Sequence, residues 1–153
     1  MTQRAERRIE MFSADNIHGV AELAKAVFST PWSEEIYRRE LENPQSVGFV
    51  CISKGEIAGF IHCSYVLDEL TLNTLCVAES CRRQGIAKAL WRAATEMMTG
   101  ICSVCYLEVR ESNTPARTLY ESLGFIQNGY RPRYYSHPEE AAVLMRCELA
   151  QKE

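Results

Sequence analysis

Between residues 70 and 98 the chain passes from an apolar, strand-like stretch through a basic, glycine-bearing loop into an amphipathic helix. Leu75, Cys76 and Val77 close the apolar run. Arg82-Arg83-Gln84-Gly85-Ile86-Ala87-Lys88 follows, and Ile86, Leu90, Ala93, Ala94 and Met97 then recur at helical spacing. A strand, a glycine loop and a helix N-terminus together make an anion site, because successive backbone N–H groups face the ligand and the helix dipole favours negative charge. Gly85 permits close backbone approach, while Arg82, Arg83 and Lys88 add positive charge suited to a pyrophosphate. Taken alone, the same residues also suit a basic surface loop before an ordinary helix.

The flanking sequence supplies more elements of both kinds. Residues 8–12 alternate as a first strand. Ser13 is placed to cap a helix whose apolar positions are Ile17, Val20, Ala21, Ala24, Val27 and Phe28. Pro31 interrupts it, and Ser33-Glu34-Glu35 opens a second, short helix with acidic residues in its first turn. Strands are expected at 46–53, 57–66, 70–77, 104–109, 127–135 and 142–148, with Lys54-Gly55 as a turn. Thr114 and Pro115 start a helix lined by Ala116, Leu119, Tyr120 and Leu123, which Gly124 ends in the left-handed conformation. The order β-α-α-β-β-β-α-β-α-β-β points to an α/β domain with helices packed on a mixed central sheet.

With 153 residues, one domain spanning 1–153 is expected. No apolar run approaches the roughly eighteen residues that span a bilayer. The charged N-terminus lacks an apolar h-region, so no secretory signal is expected. The seven cysteines are odd in number, and Cys51, Cys63, Cys76 and Cys105 lie inside apolar runs. That pattern suits reduced core thiols in a cytoplasmic protein. Cys102 and Cys105 form a Cys-x-x-Cys pair, but it leads into a strand rather than a helix, which disfavours a redox role. No second cysteine pair or suitably spaced histidines complete a zinc site, so no metal is expected. His18, His62 and His137 are scattered and fit ordinary positions. Net charge is −3, and the arginine groups at Arg4, Arg7 and Arg8 and at Arg131 and Arg133 fit solvated surface better than a phosphate-tracking stripe, which disfavours nucleic acid as a partner.

Further motifs give the Gly85 loop a context. About twenty residues on come Leu107-Glu108-Val109-Arg110, Asn113, and Tyr120-Glu121-Ser122-Leu123-Gly124-Phe125. With Pro31-Trp32-Ser33-Glu34, Leu67-Asp68-Glu69, Tyr134-Tyr135 and residues 140–145, they span roughly residues 31–146, most of the chain. In this set and order the chain resembles the GNAT acetyltransferases, and within them the bacterial group that acetylates ribosomal-protein N-terminal alanines. The resemblance implies the GNAT fold and acetyl-CoA as co-substrate. Arg83, Gln84, Gly85, Ile86, Ala87 and Lys88 would cradle the coenzyme pyrophosphate. Leu75, Cys76 and Val77 would hold the pantetheine arm and acetyl carbonyl, and Asn113 would contact the coenzyme near its sulfur. Glu108 would be the general base and Tyr120 the general acid, with Trp32, Glu69 and Tyr134 around the acceptor. Ala87 replaces a glycine common in the group, and Ala141 an aspartate. The implied partner is a protein N-terminus, and the implied state a monomer or weak dimer.

The chemistry asks for such groups in its own right. An α-amine with pKa of about 7.7–8.0 must lose a proton before it attacks a thioester, and a carboxylate, directly or through one water, can accept it. A free backbone N–H on the 75–77 strand can stabilise the oxyanion, and a phenol can serve the departing thiolate. Each residue has an ordinary alternative: Glu108 as the solvent face of a strand, Tyr120 as a core aromatic, Trp32 as packing between two helices. The activity has alternatives as well. One is acetylation of a small amine, lysine side chain or antibiotic; another is an acetyl-CoA-binding module without turnover, for which neither Glu108 nor Tyr120 is needed.

Overall fold

The computed structural model describes residues 7–151; Arg4 of the N-terminal arginine group lies outside them. Its elements are β1 (Arg7–Met11), α1 (Ile17–Val27), α2 (Glu34–Glu40), β2 (Ser46–Ser53), β3 (Glu56–Val66), β4 (Glu69–Val77), α3 (Ile86–Met97), β5 (Val104–Arg110), α4 (Thr114–Ser122), β6 (Ile126–Tyr135) and β7 (Glu140–Glu148), with a 3-10 turn at Glu79–Cys81 before α3. The order is the one the sequence predicts. The strands form one sheet, β1-β2-β3-β4-β5-β7-β6. It is antiparallel except where β4 meets β5, the one place that needs a crossover helix, and α3 supplies it.

Alternation along β2 and β3 sends side chains to both faces, and each face is covered. Ile17, Val20, Ala21 and Ala24 of α1, at helical spacing, pack with Tyr37 of α2 on Val50, Ile52, Phe60 and Cys76. Ile86, Leu90, Trp91, Ala94 and Met98 pack on the other face with Cys51, Ile61, Cys63, Leu75, Leu107 and Phe125. Met97, expected on that apolar face, is 41% exposed and Met98 takes the place. The helix ends there, and the last buried position falls one residue further along the same stripe.

Two caps differ from expectation. α1 begins at Ile17 after Asn16, whose side chain bonds backward along the chain rather than capping the helix; Ser13 lies a turn earlier, where its N–H donates to Asn16 Oδ1 (2.9 Å) and its carbonyl receives Ile17 N–H. Asn113, not Thr114, caps α4, its Oδ1 accepting from Ala116 N at 3.2 Å. Ser33 does cap α2, and Glu34–Arg38 and Glu35–Arg39 pair one turn apart. All seven cysteines are free, and all but Cys81 are buried. Burial pushes the thiols of Cys63, Cys76 and Cys105 up, which makes them poor nucleophiles.

Candidate active site

The site originates in a sheet that opens. β4 and β5 pair only through Glu69–Val104, Leu70–Cys105 and Thr71–Tyr106. Beyond Thr71, β4 continues on β3 as far as Val77 opposite Gly59, while β5 continues on β7. Leu75 and Val77 turn their backbone groups toward β5 and lack a strand partner there among the described residues, while Cys76 between them faces β3, its carbonyl against Gly59. Backbone donors so freed are the kind that an acyl carbonyl or an amide-bearing arm can bind.

At the end of β4, α3 starts without a side-chain cap: its N-cap is Gly85 at φ 78°. α2 and α4 both have one. The first N–H groups of α3, those of Ile86, Ala87 and Lys88, thus keep their donor capacity. A Cβ built on Gly85 meets nothing within 4 Å, so the space over these donors is open. Arg83 and Lys88 are exposed beside it, and Arg83 also has positive φ, 65°. The Gln84 carbonyl is turned outward to receive Arg7 Nη1 at 2.7 Å. Ile86 and Ala87 send their side chains into the core and contribute only backbone. This arrangement fits a pyrophosphate.

Across the opening lies a cleft of roughly 540 Å³ whose walls include Asn73, Tyr106, Glu108, Arg131 and Tyr135. Glu108 alternates outward on β5 and is flanked from β6: Arg131 Nη1 lies 3.8 Å from its carboxylate, and the Tyr134 phenol is hydrogen-bonded to it, which raises that phenol's pKa. Arg110 fixes the β6–β7 connection. Its guanidinium donates to the carbonyls of Pro138 (3.0 Å) and Ser136 (3.1 Å) and covers the Tyr135 ring at 4.5 Å.

Tyr120 approaches from α4, edge-on to Phe125 at 5.8 Å. Burial pushes its phenol up to about 12, with smaller contributions from Cys63, Tyr135, Cys105 and Cys76. The Tyr135 phenol is raised by burial and then by the Glu108 carboxylate; Tyr135 and Glu108 both line the cleft, whereas Tyr120 packs against the core and is not among the cleft walls. Asn113 is at the start of α4 with Oδ1 engaged in the cap, so a ligand would meet its Nδ2. Tyr134 reaches the cleft edge through Glu108. Glu69 and Trp32 are elsewhere: Glu69 opens β4 at its paired end, and Trp32 packs between Tyr37 (5.5 Å) and His62 (5.2 Å).

Sequence reasoning missed Asn73, Tyr106, Arg131 and Tyr135 as cleft residues. Their alternate exposed positions on strands were the available signal, but which strands face one another is not local information. Ala141, where the resemblance favours an acid, is buried and gives its carbonyl to Glu111 N. Among the described residues no cluster of metal-binding side chains occurs, and no helix is long and apolar enough to cross a membrane.

Residues 17–125 match the family described as "Acetyltransferase (GNAT) family". The chain is 36% identical over 149 residues to the [ribosomal protein bS18]-alanine N-acetyltransferase of Haemophilus ducreyi, covering 92% of this chain and 99% of that one. Its fold is similar to the crystal structure of the ribosomal-protein-S18-alanine N-acetyltransferase from Escherichia coli, with a TM-score of 0.85 at 28% identity and 96% of each chain covered. It is also similar in fold to Arabidopsis thaliana NAA60 in complex with acetyl-CoA, with a TM-score of 0.83 at 19% identity, covering 93% of this chain and 98% of that one.

Proposed function

The chain belongs to the GNAT acetyltransferase family and is an acetyl-CoA-dependent N-acetyltransferase, and on that premise we propose that it acetylates the N-terminal alanine of a ribosomal protein in the cytoplasm. The whole chain, 1–153, would act as one domain. The observation that carries the site assignment is the opening of β4 from β5 after Thr71, with uncapped α3 at one end and Glu108 on the other wall. The supporting observation for the acceptor is the likeness, over nearly the full chain, to relatives named as alanine N-acetyltransferases.

In this reading Arg83, Gln84, Gly85, Ile86, Ala87 and Lys88 hold the coenzyme pyrophosphate, mainly through backbone N–H groups. Leu75, Cys76 and Val77 hold the pantetheine arm and the acyl oxygen, Leu75 and Val77 through the free edge of β4, and Asn113 Nδ2 lies near the sulfur. Glu108, exposed enough to reach a water, takes the proton of the α-amine; Tyr134 and Arg131 fix its carboxylate. Tyr120 is protonated at any physiological pH. A phenol near 12 cannot hand its proton downhill to a thiolate whose conjugate acid is about 8.5. Its service is therefore a hydrogen bond to the leaving sulfur, and the thiolate takes its proton afterwards from solvent. Tyr134 is proposed as an acceptor contact; Trp32 and Glu69 are proposed only for acceptor residues that extend past the cleft.

The test is incubation with acetyl-CoA and a library of N-terminal peptides beside lysine peptides and polyamines, read by mass spectrometry. Acetylation concentrated on peptides with N-terminal alanine is expected. Preference for polyamines or lysine side chains would overturn the acceptor and leave the enzyme class standing.

A further inference from the structure

β3 and β4 slip by one residue beside the cleft: Cys63 pairs with Leu72 but His62 with Thr74, so Asn73 is the extra residue of a bulge. Bulges re-aim side chains. On the other edge of β4 the last parallel pair is Thr71 with Tyr106. Two residues further on each strand come Asn73 and Glu108, facing one another across the opening, and both line the cleft.

The Asn73 amide is held by a buried ring. Its Nδ2 lies 3.2 Å from His62 Nδ1 and 3.1 Å from Ser64 Oγ, which accounts for both hydrogens. His62 is 1% exposed, stacked on Phe12 and met edge-on by Trp32. Its Nε2 is 2.8 Å from Ser46 Oγ and 3.4 Å from the Glu40 carboxylate, the charged group that faces it. A neutral ring protonated on Nε2, the nitrogen that Glu40 faces, donates its one hydrogen to Ser46 Oγ, with Nδ1 accepting from Asn73. Burial favours the neutral form by holding the imidazole below its ordinary range, against the pull of Glu40. Asn73 Oδ1 is then the remaining atom, and no protein donor bonds to it among the described residues.

We infer that Asn73 is an acceptor-contact residue, its Oδ1 fixed in the cleft opposite Glu108 to receive an N–H of the incoming amine or of the acceptor's first peptide bond. The inference rests on the proposed reading of the cleft as the acceptor site. A lone acceptor oxygen has nothing to offer a carbonyl or a phosphate; it selects a donor, and the amine end of a peptide is its donor-rich part. His62 is the positioning residue behind it. With the ring as acceptor, the amide cannot turn its NH₂ toward the amine without losing a buried bond.

The test is steady-state kinetics with a peptide bearing N-terminal alanine. Asn73→Ala should raise the peptide KM roughly three- to tenfold, the value of one lost hydrogen bond, with the acetyl-CoA KM unchanged. Asn73→Asp, which keeps an oxygen in place, should recover part of the loss. His62→Phe preserves the ring packing and should raise the peptide KM alone, but add little on top of Asn73→Ala, because it acts through that amide. A parent that acetylates the peptide while Asn73→Ala and Asn73→Asp keep its peptide KM overturns the assignment and leaves the proposed function intact. A parent with no turnover on any peptide overturns the proposed function, and this assignment with it. The two Asn73 variants decide the matter even where His62→Phe does not fold.

Discussion

The Gly85 loop and the Glu108 cleft share β4, yet they are made in opposite ways. The loop is one contiguous stretch, exposed from Arg82 to Gly85, and its binding capacity comes from backbone: an uncapped helix start and a residue at positive φ. The cleft draws side chains from β4, β5, β6 and β7, and its properties come from what those side chains do to one another. Tyr134 and Arg131 act on Glu108, Arg110 holds the strand connection beside Tyr135, and His62 orients Asn73. A backbone site tolerates side-chain change but not backbone change. A side-chain site should show the reverse.

The sharpest contrast is expected from Glu108→Gln. It keeps size and hydrogen bonding but removes the proposed base, so kcat should fall by roughly 10² to 10⁴-fold, with partial recovery at high pH as the amine loses its own proton. Acetyl-CoA affinity, measured by calorimetry, should stay at the parent value. A rate unchanged across pH would mean that water or the substrate itself handles the proton.

Tyr120→Phe should have the next largest effect. Loss of one hydrogen bond to a developing anion, about 1.5–3 kcal/mol, corresponds to roughly ten- to a hundredfold in kcat. The ring keeps its contact with Phe125, so Tm should barely move. Parent-like turnover would leave Tyr120 a core aromatic and assign the thiolate's stabilisation to solvent.

Gly85→Val probes the backbone side. The left-handed conformation costs an L-residue about 1–2 kcal/mol and a β-branched one more, so acetyl-CoA affinity should weaken about tenfold or more. Because the space at Gly85 is open, Gly85→Asn, which tolerates positive φ, should bind better than the valine variant. Equal losses in both would attribute the effect to the added side chain rather than to the backbone.

The smallest effect belongs to His62. Its folded pKa is lowered by burial, so below about pH 6.5 the unfolded chain takes up a proton that the folded chain refuses. This contribution to stability is complete above that pH and lost as the pH falls toward the folded value. Tm should drop between pH 7.5 and 5.5, and the drop should shrink in His62→Gln. An unchanged slope would place the sensitivity outside this ring.

Element order, the Gly85 loop, the Pro115 helix start and the apolar faces of α1 and α3 were decided by local sequence. Each depends on periodicity or on the backbone freedom of single residues, and both act within one or two turns of chain. Where local signals competed, they misled by one to three residues. Ser13 and Thr114 have capping side chains, but Asn16 and Asn113 occupy the helix boundaries, and Met98 rather than Met97 meets the core. The tertiary structure alone decided the point at which β4 leaves β5, the bulge at Asn73, and the meeting of Asn73, Glu108, Arg131 and Tyr135 from strands as much as 62 residues apart. It also changed the reading of His62, from an ordinary strand residue to the buried hub of a hydrogen-bonded group. Strand pairing and burial are set by partners distant in the chain, and the cost of an unpaired buried polar group exists only once those partners have closed around it.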